Sequence, residues 1–173
     1  MKDGFPEPPL VAYRIDANLE DILVHKKHNK MFFRKPNRSG PCGAQICAIC
    51  PYMIDADSFE DAAGKKYTVM NSVDCKSSNV VYAVFCERCR AYVYVGETGD
   101  TLFQRHLLNL SRIRKRHADP VAAHFYTDLH SVADFRVMGL EKLHGSEDFR
   151  PKMEHLWKWK LLTYRPYGIN TQE

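Results

Sequence analysis

Six cysteines and two of the eight histidines are the residues of this chain most plainly able to do chemistry. Cys42, Cys47 and Cys50 form C-x4-C-x2-C, Cys86 and Cys89 form C-x2-C, and Cys75 stands alone. His124 and His130 form H-x5-H. A C-x2-C turn offers two thiolates to one side of an ion, and zinc takes four soft or borderline ligands in a tetrahedron. Eight ligands fill two sites. The expected allocation is Cys42, Cys47, Cys50 and Cys75 in one, and Cys86, Cys89, His124 and His130 in the other. The 34 residues between Cys89 and His124 exceed the spacing inside a local finger. His25, His28, His106, His117, His144 and His155 therefore remain alternative ligands.

A second group is scattered more widely: Tyr82, Tyr94, Arg105, Glu154 and Asn170. Singly, each has an ordinary explanation, since strand tyrosines are usually core and a helix arginine is usually solvated. Gathered at one place they would suit a phosphodiester. A forked guanidinium and a metal-bearing carboxylate stabilise charge on phosphate oxygens. Tyrosine titrates near pH 10 and is a poor base unless something favours the phenolate or takes the proton onward.

These residues need a frame. Val80 to Phe85 is continuously apolar and β-rich, which predicts a buried central strand. Ala91 to Val95 predicts a second strand, ended by Gly96 and Gly99, and residues 86–90 are short enough for a hairpin. Lys66 to Met70 reads as a short strand after a polar segment. Thr101 or Asp100 caps a helix whose stripe is Leu102, Phe103, Leu107, Leu110 and Ile113. Pro120 starts a short helix over 121–126. Asp134 to Leu140 alternates as a third strand. Residues 150–164 form a last helix with Met153, Leu156, Trp157, Leu161 and Tyr164 inward. A short helix capped by Asp16 is the one element expected in the proline-rich start. The order β-β-α-α-β-α predicts an α+β fold: a small three-stranded antiparallel sheet flanked by helices, with an N-terminal zinc-binding extension. The segments are an arm over 1–40, the extension over 41–78, and the sheet domain over 79–173.

The chain has 173 residues, 45% apolar and 27% charged, a soluble globular composition. No run approaches the roughly 18 apolar residues of a membrane span. The start lacks the apolar core of a secretory signal. The expected setting is intracellular and reducing, where thiols more often bind metal than pair. Net charge is only +4, but basic residues are clustered. Lys26, Lys27, Lys30, Arg34, Lys35 and Arg38 form one acid-free block. Arg105, Arg112, Arg114, Lys115 and Arg116 form another. Such blocks suit a phosphate-facing surface, or simply a solvated one.

Taken in order, several motifs resemble the GIY-YIG nuclease superfamily: Val80-Val-Tyr-Ala-Val, Tyr94-Val-Gly-Glu-Thr98, Leu102-x-x-Arg105, Glu154-x-x-Trp157 and Gly168-Ile-Asn170. More narrowly they are similar to the endonuclease domain of Penelope-like retroelements. Cys75-Lys-Ser-Ser-Asn-Val-Val-Tyr82, the hairpin C-x2-C, Pro120-Val-Ala-x-His124-Phe and Cys47-x-x-Cys50-Pro51 fit that branch. Pro8-Pro-Leu-Val-Ala-Tyr-Arg14 resembles the segment between reverse transcriptase and nuclease there. The resemblance implies a nuclear DNA endonuclease whose nick primes reverse transcription. It also implies a polymerase domain in the same polypeptide, and leaves RNA open as a further partner. It makes Tyr82 and Tyr94 the motif tyrosines. Arg105 would hold the scissile phosphate, Glu154 one Mg²⁺ or Mn²⁺, and Asn170 would support the site. One position departs: Asn109 stands where the family has a histidine, four residues after the arginine. An amide cannot take a proton at neutral pH. His106, rotated about 100° from Arg105 on a helix, is expected to point elsewhere. The competing reading is a zinc-stabilised module that binds DNA and positions a polymerase without cutting.

Overall fold

The computed structural model describes residues 37–127, 129–144 and 148–171. Among these the elements run β1 (Ser58–Glu60), β2 (Lys66–Thr68), β3 (Val80–Cys86), β4 (Ala91–Thr98), α1 (Leu102–Arg114), α2 (Pro120–His124), β5 (Phe135–Lys142) and α3 (Phe149–Lys160). Short 3-10 turns lie at Cys50–Tyr52 and Val132–Asp134. The main sheet is antiparallel with order β4-β3-β5. β1 and β2 form a separate two-stranded ribbon. The fold is α+β with small antiparallel sheets and three α-helices among the described residues.

β3 is apolar because both its faces are covered, and every residue but Phe85 is buried. Two bulges set where its neighbours aim. Val84 pairs with Tyr94 and Phe85 with Tyr92, so Val93 is an extra residue on β4. A bulge re-aims side chains. Tyr92 packs on Phe85 with ring centres 5.1 Å apart, while Tyr94 faces Tyr82 at 6.5 Å. On β5, Leu140 is the extra residue between the partners of Val81 and Tyr82.

The segment before the sheet shares its core. Ile54 N–H donates to Val137 O (2.8 Å), Met70 N–H to Leu140 O (2.8 Å), and Gly139 N–H to Ser39 Oγ (2.9 Å). Phe59 of β1 packs against Tyr92 of β4 and Trp157 of α3. α1 begins with a reciprocal capping box between Thr101 and Gln104, and Asp119 caps α2 with Pro120 in its first turn. Both devices satisfy N-terminal N–H groups that a helix leaves unpaired.

Several expectations need correction. Gly96 does not end the second strand; it sits inside β4, opposite Tyr82, and the strand runs to Thr98. The polar segment contains β1, whose only buried residue is Phe59. A three-residue strand with one inward residue has no periodicity to read. α2 stops at His124. α3 stops at Lys160 because the chain turns at Leu162, which has a positive φ of 53°. Leu161 and Tyr164 are buried beyond the helix end, while Leu107 and Leu156 face solvent. The Asp16 helix, Lys26, Lys27, Lys30, Arg34 and Lys35 lie outside the described residues. No described helix is long and apolar enough to cross a membrane.

Candidate metal centres and active-site cleft

The fold gathers two quartets of potential metal ligands: Cys42, Cys47, Cys50 and Cys75, and Cys86, Cys89, His124 and His130. Within each, the donor atoms all lie within 4.8 Å of one another. A tetrahedron with Zn–S bonds of about 2.3 Å has S···S edges of about 3.8 Å. Cys50 Sγ lies 3.6 Å from Cys42 Sγ and 3.7 Å from Cys75 Sγ. These two edges match thiolate–metal spacing, and Cys75 reaches Cys50 from 25 residues away. In the second, Cys89 Sγ lies 3.8 Å from His124 Nε2 and 3.2 Å from His130 Nε2. Here the end of β3 and its turn meet the end of α2 and the loop before β5. Either quartet could hold a metal ion, and the donor chemistry suits zinc.

The thiols differ electrostatically. Burial opposes the Cys47 thiolate, but the N–H groups of Ile49 and Cys50 and the neighbouring thiols outweigh it and pull Cys47 down to about 7. Burial pushes Cys75 well above the ordinary thiol range and Cys89 up to about 11. A bound dication reverses that penalty by favouring the thiolates.

A separate cleft of about 250 Å³ opens beside the sheet. Tyr82 of β3, Tyr94 of β4, Arg105 and Asn109 of α1, Glu154 of α3 and Asn170 of the C-terminal segment all line it. These are the six site residues expected from the sequence, delivered by five different parts of the chain. Arg112, Asp119 and Lys158 line it as well.

Tyr82 is buried against the cleft's inner wall. Burial pushes its phenol far above 10, Tyr94 and Glu154 add to the rise, and Arg105 and the Asn109 amide oppose it. At neutral pH Tyr82 is therefore a protonated hydrogen-bond donor. Tyr94 is likewise raised, first by burial and then by Glu154. Both rings depend on Gly96. A Cβ there would lie 2.7 Å from Tyr82 Oη and 2.7 Å from Tyr94 Cε1. The glycine of Tyr94-Val-Gly96 is a matter of space between two tyrosines.

As expected, His106 does not line the cleft; it lies behind Tyr82. It is fully buried, edge-on to Tyr82 with ring centres 4.6 Å apart, and its Nδ1 lies 3.3 Å from Asn109 Nδ2. Burial, with help from Arg105, lowers it to about 3, so it is neutral. An amide NH₂ only donates. His106 Nδ1 must accept from Asn109, which leaves the proton on Nε2, an atom with no partner among the described residues. Because α1 packs directly on Tyr82, the residue next to Arg105 is turned off the cleft face and backs the tyrosine instead.

Asn170 holds the outer edge of β4. Its Oδ1 accepts from Val95 N–H (2.9 Å) and its Nδ2 donates to Val95 O (2.9 Å). Ile169 N–H donates to Val93 O (2.9 Å). One side chain thus satisfies both free backbone groups of an edge-strand residue beside Tyr94.

Sequence reasoning overlooked Lys158 and Asp119. Lys158 Nζ lies 3.0 Å from Glu154 Oε2. The signal was legible as a Glu–Lys pair at i,i+4 on a helix. Asp119 Oδ2 lies 3.1 Å from His117 Nδ1 and 4.0 Å from Arg112 Nε, and an aspartate before a proline marks a helix start. Of the residues expected on DNA, Arg114, Lys115 and Arg116 are exposed at the end of α1, and Arg112 lines the cleft. Arg38 is paired with Asp55.

No family model matches the chain, and neither a curated protein nor a solved structure matches it.

Proposed function

We propose that the chain is a zinc-stabilised, GIY-YIG-type DNA endonuclease domain of a Penelope-like retroelement protein. In this reading it nicks target DNA in the nucleus and leaves a 3′-hydroxyl for reverse transcription. The observation that carries the reading is the cleft itself. Five parts of the chain converge to put Tyr82, Tyr94, Arg105, Asn109, Glu154 and Asn170 around one cavity. A core built only for packing has no reason to gather that set.

Arg105 and Arg112 bind non-bridging phosphate oxygens. Tyr82, kept protonated by burial, donates a hydrogen bond toward the reacting oxygens. Water forms the new bond to phosphorus and gives up a proton to solvent, the P–O3′ bond breaks, and O3′ takes up a proton from solvent, leaving a 5′-phosphate and a 3′-hydroxyl. Glu154 is the cleft carboxylate that would hold a divalent ion, once the Lys158 ammonium now paired with it has moved aside. When bound, Mg²⁺ or Mn²⁺ supplies Lewis-acid stabilisation of the phosphate. Zinc in the two quartets is structural, with no open ligand position. The exposed basic end of α1 tracks the DNA backbone.

One specific pair of observations favours the other reading, a DNA-binding module that positions a polymerase without cutting. Asn109 offers no proton acceptor, and Lys158 is seated on Glu154. The test is to incubate supercoiled plasmid with zinc-loaded chain and Mg²⁺ or Mn²⁺, then add a DNA polymerase. Relaxed circles that the polymerase extends support the endonuclease. Salt-sensitive DNA binding with no relaxed product supports the module.

A further inference from the structure

We propose that Lys158 is a tethered cation that competes with the divalent ion for Glu154, so that this chain's metal requirement is set by its own lysine. The inference rests on the reading of Glu154 as the metal carboxylate. Lys158 Nζ sits 3.0 Å from Glu154 Oε2, and the two side chains are only 15% and 17% exposed. That exposure decides the matter. A surface i,i+4 pair is screened by water and contributes about twofold; this pair is held within the cleft wall, where screening is weaker.

The surroundings sharpen the competition. Arg105, Arg112 and Lys158 place three cations in the cleft against the carboxylates of Asp119 and Glu154. Asp119 is occupied elsewhere, capping α2 and facing His117 and Arg112. A divalent ion entering the free cleft therefore meets a cationic lining and a carboxylate already neutralised. A DNA phosphate changes both. It adds negative charge, and it gives the displaced ammonium, on its flexible four-carbon stem, a new anionic partner inside the same cleft. Divalent ion and DNA should bind with positive coupling. Lys158 would then act twice, holding the site shut to free metal and contacting phosphate once the metal has replaced it.

The experiment is a Mn²⁺ titration of the zinc-loaded full chain, followed by electron paramagnetic resonance of the free ion. Lys158→Met keeps the stem and removes the charge; Lys158→Arg keeps the charge. Glu154→Gln in each background identifies the signal from this site. The expected result is that Lys158→Met binds Mn²⁺ about tenfold more tightly than the parent, while Lys158→Arg binds as weakly as the parent. Adding a short DNA duplex should strengthen Mn²⁺ binding to the parent more than to Lys158→Met. Equal Glu154-dependent affinities in parent and Lys158→Met would overturn the competition and leave Glu154 as the metal carboxylate. Absence of any Glu154-dependent Mn²⁺ binding, with and without DNA, would overturn both the competition and the divalent-ion reading. Circular dichroism of each variant establishes that the helix carrying the pair is intact.

Discussion

Replacing Asn170 by alanine removes two hydrogen bonds at once and leaves both backbone groups of Val95 without a protein partner. Asn170 is 4% exposed, so the bonds are made out of water. A buried polar group left unpaired costs about 1–3 kcal/mol. The cleft lets water approach from one side, which places each loss near the low end, about 2 kcal/mol together. With a urea slope of about 2 kcal/mol per M for a domain of this size, the unfolding midpoint should fall by about 1 M at unchanged slope. Asn170→Asp discriminates further. Its carboxylate can still accept from Val95 N–H but confronts Val95 O with a second acceptor, so it should be no more stable than the alanine variant. The assay is urea unfolding of zinc-loaded chain followed by circular dichroism. A midpoint shift below about 0.2 M for Asn170→Ala, or a stable Asn170→Asp, would refute the account of Asn170 as the clamp on the β4 edge.

Zinc-loaded chain should contain two zinc ions by elemental analysis. Cys86→Ser should hold fewer than two and lose much of its structure by circular dichroism, since structural zinc contributes about 10–16 kcal/mol of apparent binding free energy. His106 predicts a pH dependence of stability. Its folded value of about 3 lies below the ordinary 6.5. Above pH 6.5 both states are neutral; as pH falls from there, only the unfolded chain takes up the proton, so stability declines. His106→Gln should therefore lose about 1 kcal/mol less than the parent between pH 7 and pH 5.5 in paired urea titrations. Asn109→His should raise the nicking rate toward the lower end of the roughly 10²–10⁴-fold typical of general acid–base assistance, with DNA affinity unchanged. Equal time courses for the two folded chains would mean that the proton acceptor lies elsewhere.

The sheet was legible because β3 and β4 are dense in β-branched and aromatic residues and the linking Cys86-x-x-Cys89 is too short for anything but a turn. The ligand quartets were legible because cysteine is scarce and zinc demands four donors; counting did what spacing could not for Cys75 and His124. β1 was not legible, since three residues carry one buried side chain. Tyr164 was drawn into α3 by its spacing, although the chain leaves the helix at Leu161 and buries Tyr164 by a different route. In the cleft, residue types with scarce chemistry stood out, whereas His106 and Lys158 did not. The roles of those two come from what packs against them, Tyr82 in one case and Glu154 in the other.

The central claim is that this cleft cleaves a phosphodiester. The most direct measurement is single-turnover nicking of a labelled duplex by the zinc-loaded parent and by Arg105→Ala, with DNA affinity measured in parallel. Loss of a donor to transition-state charge should lower the rate by about 10²–10³-fold, while affinity, which the proposal assigns largely to the exposed basic end of α1, should change by less than about threefold. Equal nicking rates for the two proteins would contradict the assignment of chemistry to this cleft.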